Sequence, residues 1–289
     1  MLAASFPMKK SISIWSFYTN NSLEEKFALA KAAGFTGFEV DLSEDGPVHL
    51  KSSNDDLLNV RRQAEKAGLT LSGLATGLYW GSNAASADAA VRQRAADILR
   101  RQIDTAATLG IDAILVVPGA VGVDFIPGCE VVPYEAAYKR AGEFIKAALP
   151  EAEKKKVRIG VENVWNKFLT SPLEMRAFVD QFGSEFVGAY FDVGNVLANG
   201  YPEHWIEVLG KRIVRVHFKD YRRNVGSADG FCDLLSGDVN WPAVTKALRA
   251  VSYDGWVAAE MIPPVPFYKY APEVLIHNTS RAMDAIFAL

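Results

Sequence analysis

Four residues able to ligate a metal stand at like positions in the second half of this 289-residue chain: Glu162, Asp192, His217 and Glu260. Each closes, or nearly closes, a short run rich in Val, Ile, Phe and Ala. The runs read Arg158–Glu162, Gly188–Asp192, Val214–Phe218 and Trp256–Glu260. Three carboxylates and an imidazole gathered at one point repel one another unless a cation lies among them. Mixed oxygen and nitrogen donors favour a borderline divalent ion over Ca²⁺, which takes all-oxygen sites, so one Mn²⁺, Zn²⁺, Co²⁺ or Mg²⁺ is expected. Such a site serves chemistry beside a carbonyl. Removing a proton from the neighbouring carbon leaves an enediolate, and a divalent cation chelated by the carbonyl and the adjacent hydroxyl oxygen stabilises that charge. Two carboxylates on opposite faces of the substrate then give epimerisation, and return of the proton to the adjacent carbon gives aldose–ketose isomerisation.

The rest of the chain must bring these residues together. Strand-like runs occur at Ser11–Trp15, Gly37–Asp41, Thr70–Ala75 and Ala113–Val117 as well as at the four above. Helical patterns alternate with them: Leu23–Ala33, Asp55–Ala67, Ala87–Leu109, Pro133–Lys155, Leu173–Phe182, Pro202–Leu209, Trp241–Val251 and Pro272–Ala288. Ser22 with Glu25 three residues on forms a capping box. Ser171-Pro172 supplies a cap followed by Pro at the first helical position. Gly34, Gly68, Gly110, Gly183, Gly210 and Gly255 fit left-handed helix ends. Eight strand–helix units of about 36 residues predict one (β/α)8 barrel in a single domain, at residues 8–289, behind an N-terminal tail at 1–7. A doubly wound dinucleotide-binding sheet would show a Gly-rich turn after its first strand, where this chain has Trp15-Ser16-Phe17-Tyr18. In a parallel barrel the active site lies at the C-terminal strand ends, where the four ligand types stand.

The segments Gly160-Val161-Glu162-Asn163, Phe191-Asp192-Val193-Gly194-Asn195, Val216-His217-Phe218-Lys219-Asp220, Gly237-Asp238-Val239-Asn240-Trp241 and Tyr253 through Glu260 resemble the xylose isomerase-like barrel superfamily. Within it they are similar to the sugar and sugar-phosphate isomerase/epimerase branch, which includes ketose 3-epimerases and L-xylulose-5-phosphate 3-epimerase-like proteins. The resemblance runs from about Lys9 to the last helix. It implies that Glu162 and Glu260 are both metal ligands and the acid/base pair, with Asp192 and His217 completing the metal site. Arg223, six residues after His217, matches a substrate-binding arginine. The ketose epimerases carry Asp-x-x-His after the sixth strand, whereas this chain has Asn195, which can hydrogen-bond a sugar hydroxyl but does not titrate near neutrality. Homo-oligomers, dimers or tetramers, are implied by resemblance.

Trp15 and Tyr79-Trp80 are candidates for an apolar wall against a sugar face. Lys219, Arg222 and Arg223 form a basic group after the seventh strand, where barrels often hold phosphate. Glu39 could orient a catalytic group or join an ion pair inside the barrel. Asn163, Trp165, Asn166 and Lys167 share a loop that reaches the substrate. Ala120–Val132 and Asn224–Asp238 read as long loops of the kind that serve as lids or subunit contacts.

Composition narrows the function classes. A formal net charge of −3 and only four histidines argue against nucleic-acid binding and against a trinuclear, endonuclease IV-like site. No apolar run is long enough to span a bilayer. Two cysteines, Cys129 and Cys232, give no disulfide framework, and the expected location is cytoplasmic. The expected partner is a small sugar or sugar phosphate. A keto-polyol dehydratase or lyase and a non-catalytic sugar-binding barrel are the alternatives. The presence of both Glu162 and Glu260 weighs against the last.

Overall fold

The structure, a computed structural model, describes residues 8–18, 20–261, 268 and 270–289. Its centre is a closed barrel of parallel strands: β1 (Lys9–Ser13), β2 (Gly37–Asp41), β3 (Thr70–Ala75), β4 (Ala113–Val116), β5 (Arg158–Glu162), β6 (Val187–Asp192), β7 (Ile213–Phe218) and, after two short strands, β10 (Trp256–Ala259). Each strand pairs with its neighbour in the chain, and β10 closes the ring by pairing with both β7 and β1. The tail expected at Met1–Pro7 lies outside the described residues.

Helices α1 (Leu23–Ala32), α2 (Asn54–Lys66), α3 (Ala89–Leu109), α4 (Tyr134–Lys155), α5 (Pro172–Asp180), α6 (Val193–Val196), α7 (Pro202–Leu209), α8 (Trp241–Ala250) and α9 (Pro272–Phe287) connect the strands. Their ends follow local chemistry. Ser22 and Glu25 close the capping box of α1, and Ser53 with Asp56 does the same for α2. Pro172 opens α5. Gly34, Gly68, Gly110, Gly183 and Gly210 take positive φ; Gly255 does not, and Ser252 provides the left-handed turn before β10 instead. At Gly255 a Cβ would instead collide with the Tyr253 ring, so close packing accounts for this glycine.

Two departures from expectation bear on the site. The first strand begins and ends two residues early, because Ile14–Ser16 turns into a 3-10 helix capped by the Ser13 hydroxyl. That turn carries Trp15 over the barrel mouth. The segment after β7 is not an extended loop. It folds into a two-stranded antiparallel sheet, β8 (Asp220–Tyr221) with β9 (Phe231–Cys232).

Strand alternation sorts the barrel interior. Phe218 points outward, its ring 4.7 Å from Trp241 of α8 and 6.0 Å from Phe287 of α9. Arg215 and His217 of β7 and Lys219 just beyond it point inward, in order from floor to mouth. Arg215 reaches across to the Ser72 carbonyl of β3 at 2.7 Å. Outside the barrel, one continuous apolar layer joins the strands to the helix stripes. Ile98, Leu99, Ile103, Ala106 and Leu109 of α3 are all buried in it, as the spacing predicts.

Candidate active site

The C-terminal strand ends converge as the sequence requires. Glu162 from β5, Asp192 from β6, His217 from β7 and Glu260 just beyond β10 each offer one ligand atom, and all four atoms lie within 4.8 Å of one another. All four residues are buried. His217 Nδ1 lies 2.8 Å from Glu260 Oε2 and 3.8 Å from Asp192 Oδ2.

Three buried atoms mark a common focus. Asp192 Oδ2, His217 Nδ1 and Glu260 Oε2 have no hydrogen bond of acceptable geometry. Glu260 Oε2 makes close ionic contacts with His217 Nδ1 and Lys219 Nζ, both at 2.8 Å. Buried polar atoms ordinarily find partners, and three orphans facing one point fit a cation site. The donors, three carboxylates and an imidazole, are those a divalent ion accepts.

The neighbours hold these ligands in place. Asp192 caps the helical turn α6: its Oδ1 accepts the Asn195 N–H at 2.7 Å, which leaves Oδ2 for the focus. Asn163 clamps the same strand end, accepting from the Asp192 N–H at 2.8 Å and donating to the Asp192 carbonyl at 2.8 Å. Glu39 meets His217 inside the barrel, a contact that serves both as an ion pair and to orient the ring. Its carboxylate receives the His217 Nε2–H at 3.0 Å and also accepts from the Tyr190 hydroxyl. An Nε2 proton held by Glu39 leaves Nδ1 as the nitrogen that can ligate. Gly73 makes room for this contact, since a Cβ there would sit 2.4 Å from the Tyr190 oxygen.

The charges push the two glutamates apart. Burial, reinforced by the charge on Glu260, raises the Glu162 carboxyl to about 8. Burial works on Glu260 in the same direction, but Lys219 and His217 outweigh it and bring that carboxyl down to about 2. Burial also raises Asp192. His217 is driven well above its ordinary value despite burial, by Glu39 and Glu260. Lys219 is likewise raised despite burial, by Asp192 and Glu260. Burial and like charge thus resist a second ionised carboxylate beside Glu260, a cost that a bound cation would relieve.

Above the cluster lies a cavity of about 270 Å³. Glu162, Lys219, Asn195, Trp15 and Glu260 line it, together with Thr76, Trp80, Phe125, Trp165 and Phe231. Lys219 Nζ sits 2.8 Å from Glu260 Oε2 and 3.2 Å from Asp192 Oδ2. Gly194 permits this, because a Cβ would lie 2.4 Å from that of Lys219. Asn195 reaches the cavity, but its amide donates to the Asn163 carbonyl at 3.0 Å, which leaves Oδ1 as its free acceptor.

Arg223 is not brought in. Its guanidinium is exposed, stacked over Tyr201 at 4.7 Å and donating to the Gly200 carbonyl. Arg222 is exposed as well, so the basic group after β7 contributes only Lys219 to the cavity. The hairpin β8–β9 explains the split, since its pairing turns both arginines to the outside. Tyr79 is buried against Gln102 rather than in the wall, while Trp80 lines it. Phe125 and Phe231 were not legible as wall residues. They sit in segments that read only as long loops, and they reach the cavity through tertiary folding.

Residues 27–277 match the family model described as "Xylose isomerase-like TIM barrel". An Escherichia coli (strain K12) protein carrying the provisional name L-ribulose-5-phosphate 3-epimerase SgbU is 27% identical over 250 residues, 83% of this chain and 84% of its own. Among solved structures, the IOLI protein with a bound zinc atom superposes with a TM-score of 0.80 at 19% identity, covering 97% of this chain and 98% of that one. D-psicose 3-epimerase with D-tagatose from Clostridium cellulolyticum H10 gives 0.78 at 16% identity, covering 96% and 98%. At these identities the structural matches establish the fold.

Proposed function

Because the chain belongs to the xylose isomerase-like TIM-barrel family, we propose that it is a divalent-metal-dependent sugar isomerase or epimerase with Glu162 and Glu260 as its acid/base pair. The observation that carries this reading is the buried convergence of Glu162, Asp192, His217 and Glu260 beneath a cavity of small-molecule size. The names of the E. coli relative and of the psicose epimerase point the same way.

Glu162, Asp192, His217 and Glu260 would hold the ion. Bound there, a divalent cation supplies Lewis-acid stabilisation of the enediolate oxygens. The chain's own residues supply the rest. An ionised glutamate takes the proton from the carbon beside the carbonyl, and the protonated one returns a proton from the other face. Lys219 Nζ, facing the cavity, can donate to a substrate oxygen where negative charge develops. Glu39 fixes the His217 ring, and Asn163 fixes the backbone of Asp192. The indoles of Trp15, Trp80 and Trp165 limit water at the mouth, which strengthens the charge interactions below them.

The test is incubation of the chain with ketoses and ketose phosphates in deuterated water, alongside metal analysis of protein purified without chelator. The proposal expects close to one divalent equivalent and deuterium at the carbon beside the carbonyl. Less than about half an equivalent, with no activation by Mn²⁺, Co²⁺, Mg²⁺ or Zn²⁺, would remove the metal from the mechanism. Elimination products without exchange would make the enzyme a lyase.

A further inference from the structure

We propose that the cavity accepts an unphosphorylated keto-sugar, whose ring face rests on aromatic side chains, in preference to a sugar phosphate. This narrows the substrate class of the sugar isomerase reading above and rests on that reading.

Among the described residues, the cavity holds no free cation for a phosphate. Among the described residues that line it, Lys219 is the only basic one, and both Asp192 and Glu260 already neutralise it. Arg222 donates to the Ser236 carbonyl, and Arg223 is stacked on Tyr201. From Ile262 to Phe267 the sequence carries no charge, and Lys269 is the sole cation between Glu260 and α9. The cluster below the cavity already gathers the carboxyl groups of Glu39, Glu162, Asp192 and Glu260, all buried. Bringing a phosphate dianion beside that set costs desolvation and adds like-charge repulsion.

Among the described residues, several backbone donors after β7 that could replace a cation are already taken. Barrels commonly seat phosphate on N–H groups after the seventh and eighth strands. Here the buried Asp220 carboxylate collects the N–H groups of Tyr221 and Leu235 at 2.9 Å and of Val239 at 3.2 Å, and the Trp241 indole N–H at 3.0 Å. The Arg223 N–H donates to Asp238 Oδ2 at 2.8 Å, and the Arg222 N–H to the Gly230 carbonyl at 2.9 Å. The carboxylates of Asp220 and Asp238 thus already take donors that an anion would use.

What the mouth offers instead is aromatic surface. The Trp165 ring lies 5.1 Å from Phe231, and its N–H is fixed on the Asn195 carbonyl at 2.9 Å. Across the opening, Trp80 meets Phe125 edge to face at 5.3 Å. Rigid rings of this kind suit the C–H face of a sugar, with the few polar groups at the cluster setting its orientation.

The three tryptophans of the wall allow a binding assay that does not depend on turnover. Tryptophan fluorescence of the full chain with saturating Mg²⁺ would be titrated with L-ribulose against L-ribulose 5-phosphate, and D-fructose against D-fructose 6-phosphate. Inorganic phosphate would serve as competitor. The free sugar of at least one pair is expected to bind about tenfold tighter than its phosphate ester, inorganic phosphate to compete with neither, and Trp165→Ala to weaken the free sugar about tenfold. Equal or tighter binding of the esters, competition by inorganic phosphate, or no saturable binding of either free sugar overturns the proposal. Failure of the parent reading shows separately: free sugars that bind without deuterium exchange retire the isomerase and leave the substrate class standing.

Discussion

The two ends of the barrel both bury charge, and they use it differently. At the floor, Arg215 donates to the Ser72 and Val214 carbonyls at 2.7 Å and pairs with Asp112, which also meets Arg158. At the mouth, four residues along from Arg215 on the same inward face, Lys219 stands among carboxylates with orphaned atoms. A satisfied network stabilises one conformation, whereas a partly satisfied one carries a cost that a ligand can relieve. The floor is built to hold the barrel closed, and the mouth is built to bind.

The largest effect that tests this contrast is at the mouth. Glu162→Gln and Glu260→Gln should each lower deuterium exchange about a thousandfold, the range expected for an acid/base group. Glu162 forms no ion pair closer than 4 Å among the described residues, so Glu162→Gln should leave the thermal midpoint of the metal-free protein unchanged or higher. Near-normal turnover in either variant takes that residue out of the acid/base role.

Arg215→Met, at the floor, should do the reverse. It strips two buried carbonyls of their donor and should cost about 3 kcal/mol in urea unfolding, while the folded fraction keeps its metal stoichiometry. Loss of metal with unchanged stability would erase the distinction between the two ends. Glu39 lies between them. Glu39→Gln should weaken metal binding about 10- to 100-fold by loosening the His217 tautomer, as read by competition with a chelating dye, with the circular dichroism spectrum retained. An unchanged affinity would return Glu39 to a packing role.

The smallest effect concerns acid. Burial raises Asp112, but Arg215 and Arg158 outweigh it and hold the carboxyl below its ordinary range. A depressed folded value means that the stabilisation is present above the unfolded value and disappears as pH falls through the folded one. Asp112 is more than half exposed, so the loss as pH falls below about 4 should be under about 1 kcal/mol. Comparing the acid unfolding of wild type with that of Asp112→Asn measures it, and coincident curves would show that the pair adds nothing.

The barrel was largely legible because each unit carries its own signals. The capping boxes at Ser22 and Ser53, the stripe of α3 and the β-branched runs are local, and the boundaries they set differ from the observed ones by a residue or two. The four ligand types were legible because strand ends in a parallel barrel must meet. Arg223, expected to bind substrate, lies outside the cavity, because its spacing from His217 says nothing about the hairpin that turns it outward. Phe231 and Phe125 were missed because aromatic residues in long segments carry no period.

The sequence by itself determined the order of strands and helices, and which residues end the strands, since these depend on contacts a few residues apart. Tertiary structure alone decided which side chains share the mouth, which nitrogen of His217 faces the ligands, and that Asp220 takes the amides after β7. Those outcomes depend on atoms brought close from distant parts of the chain, and no local pattern encodes them.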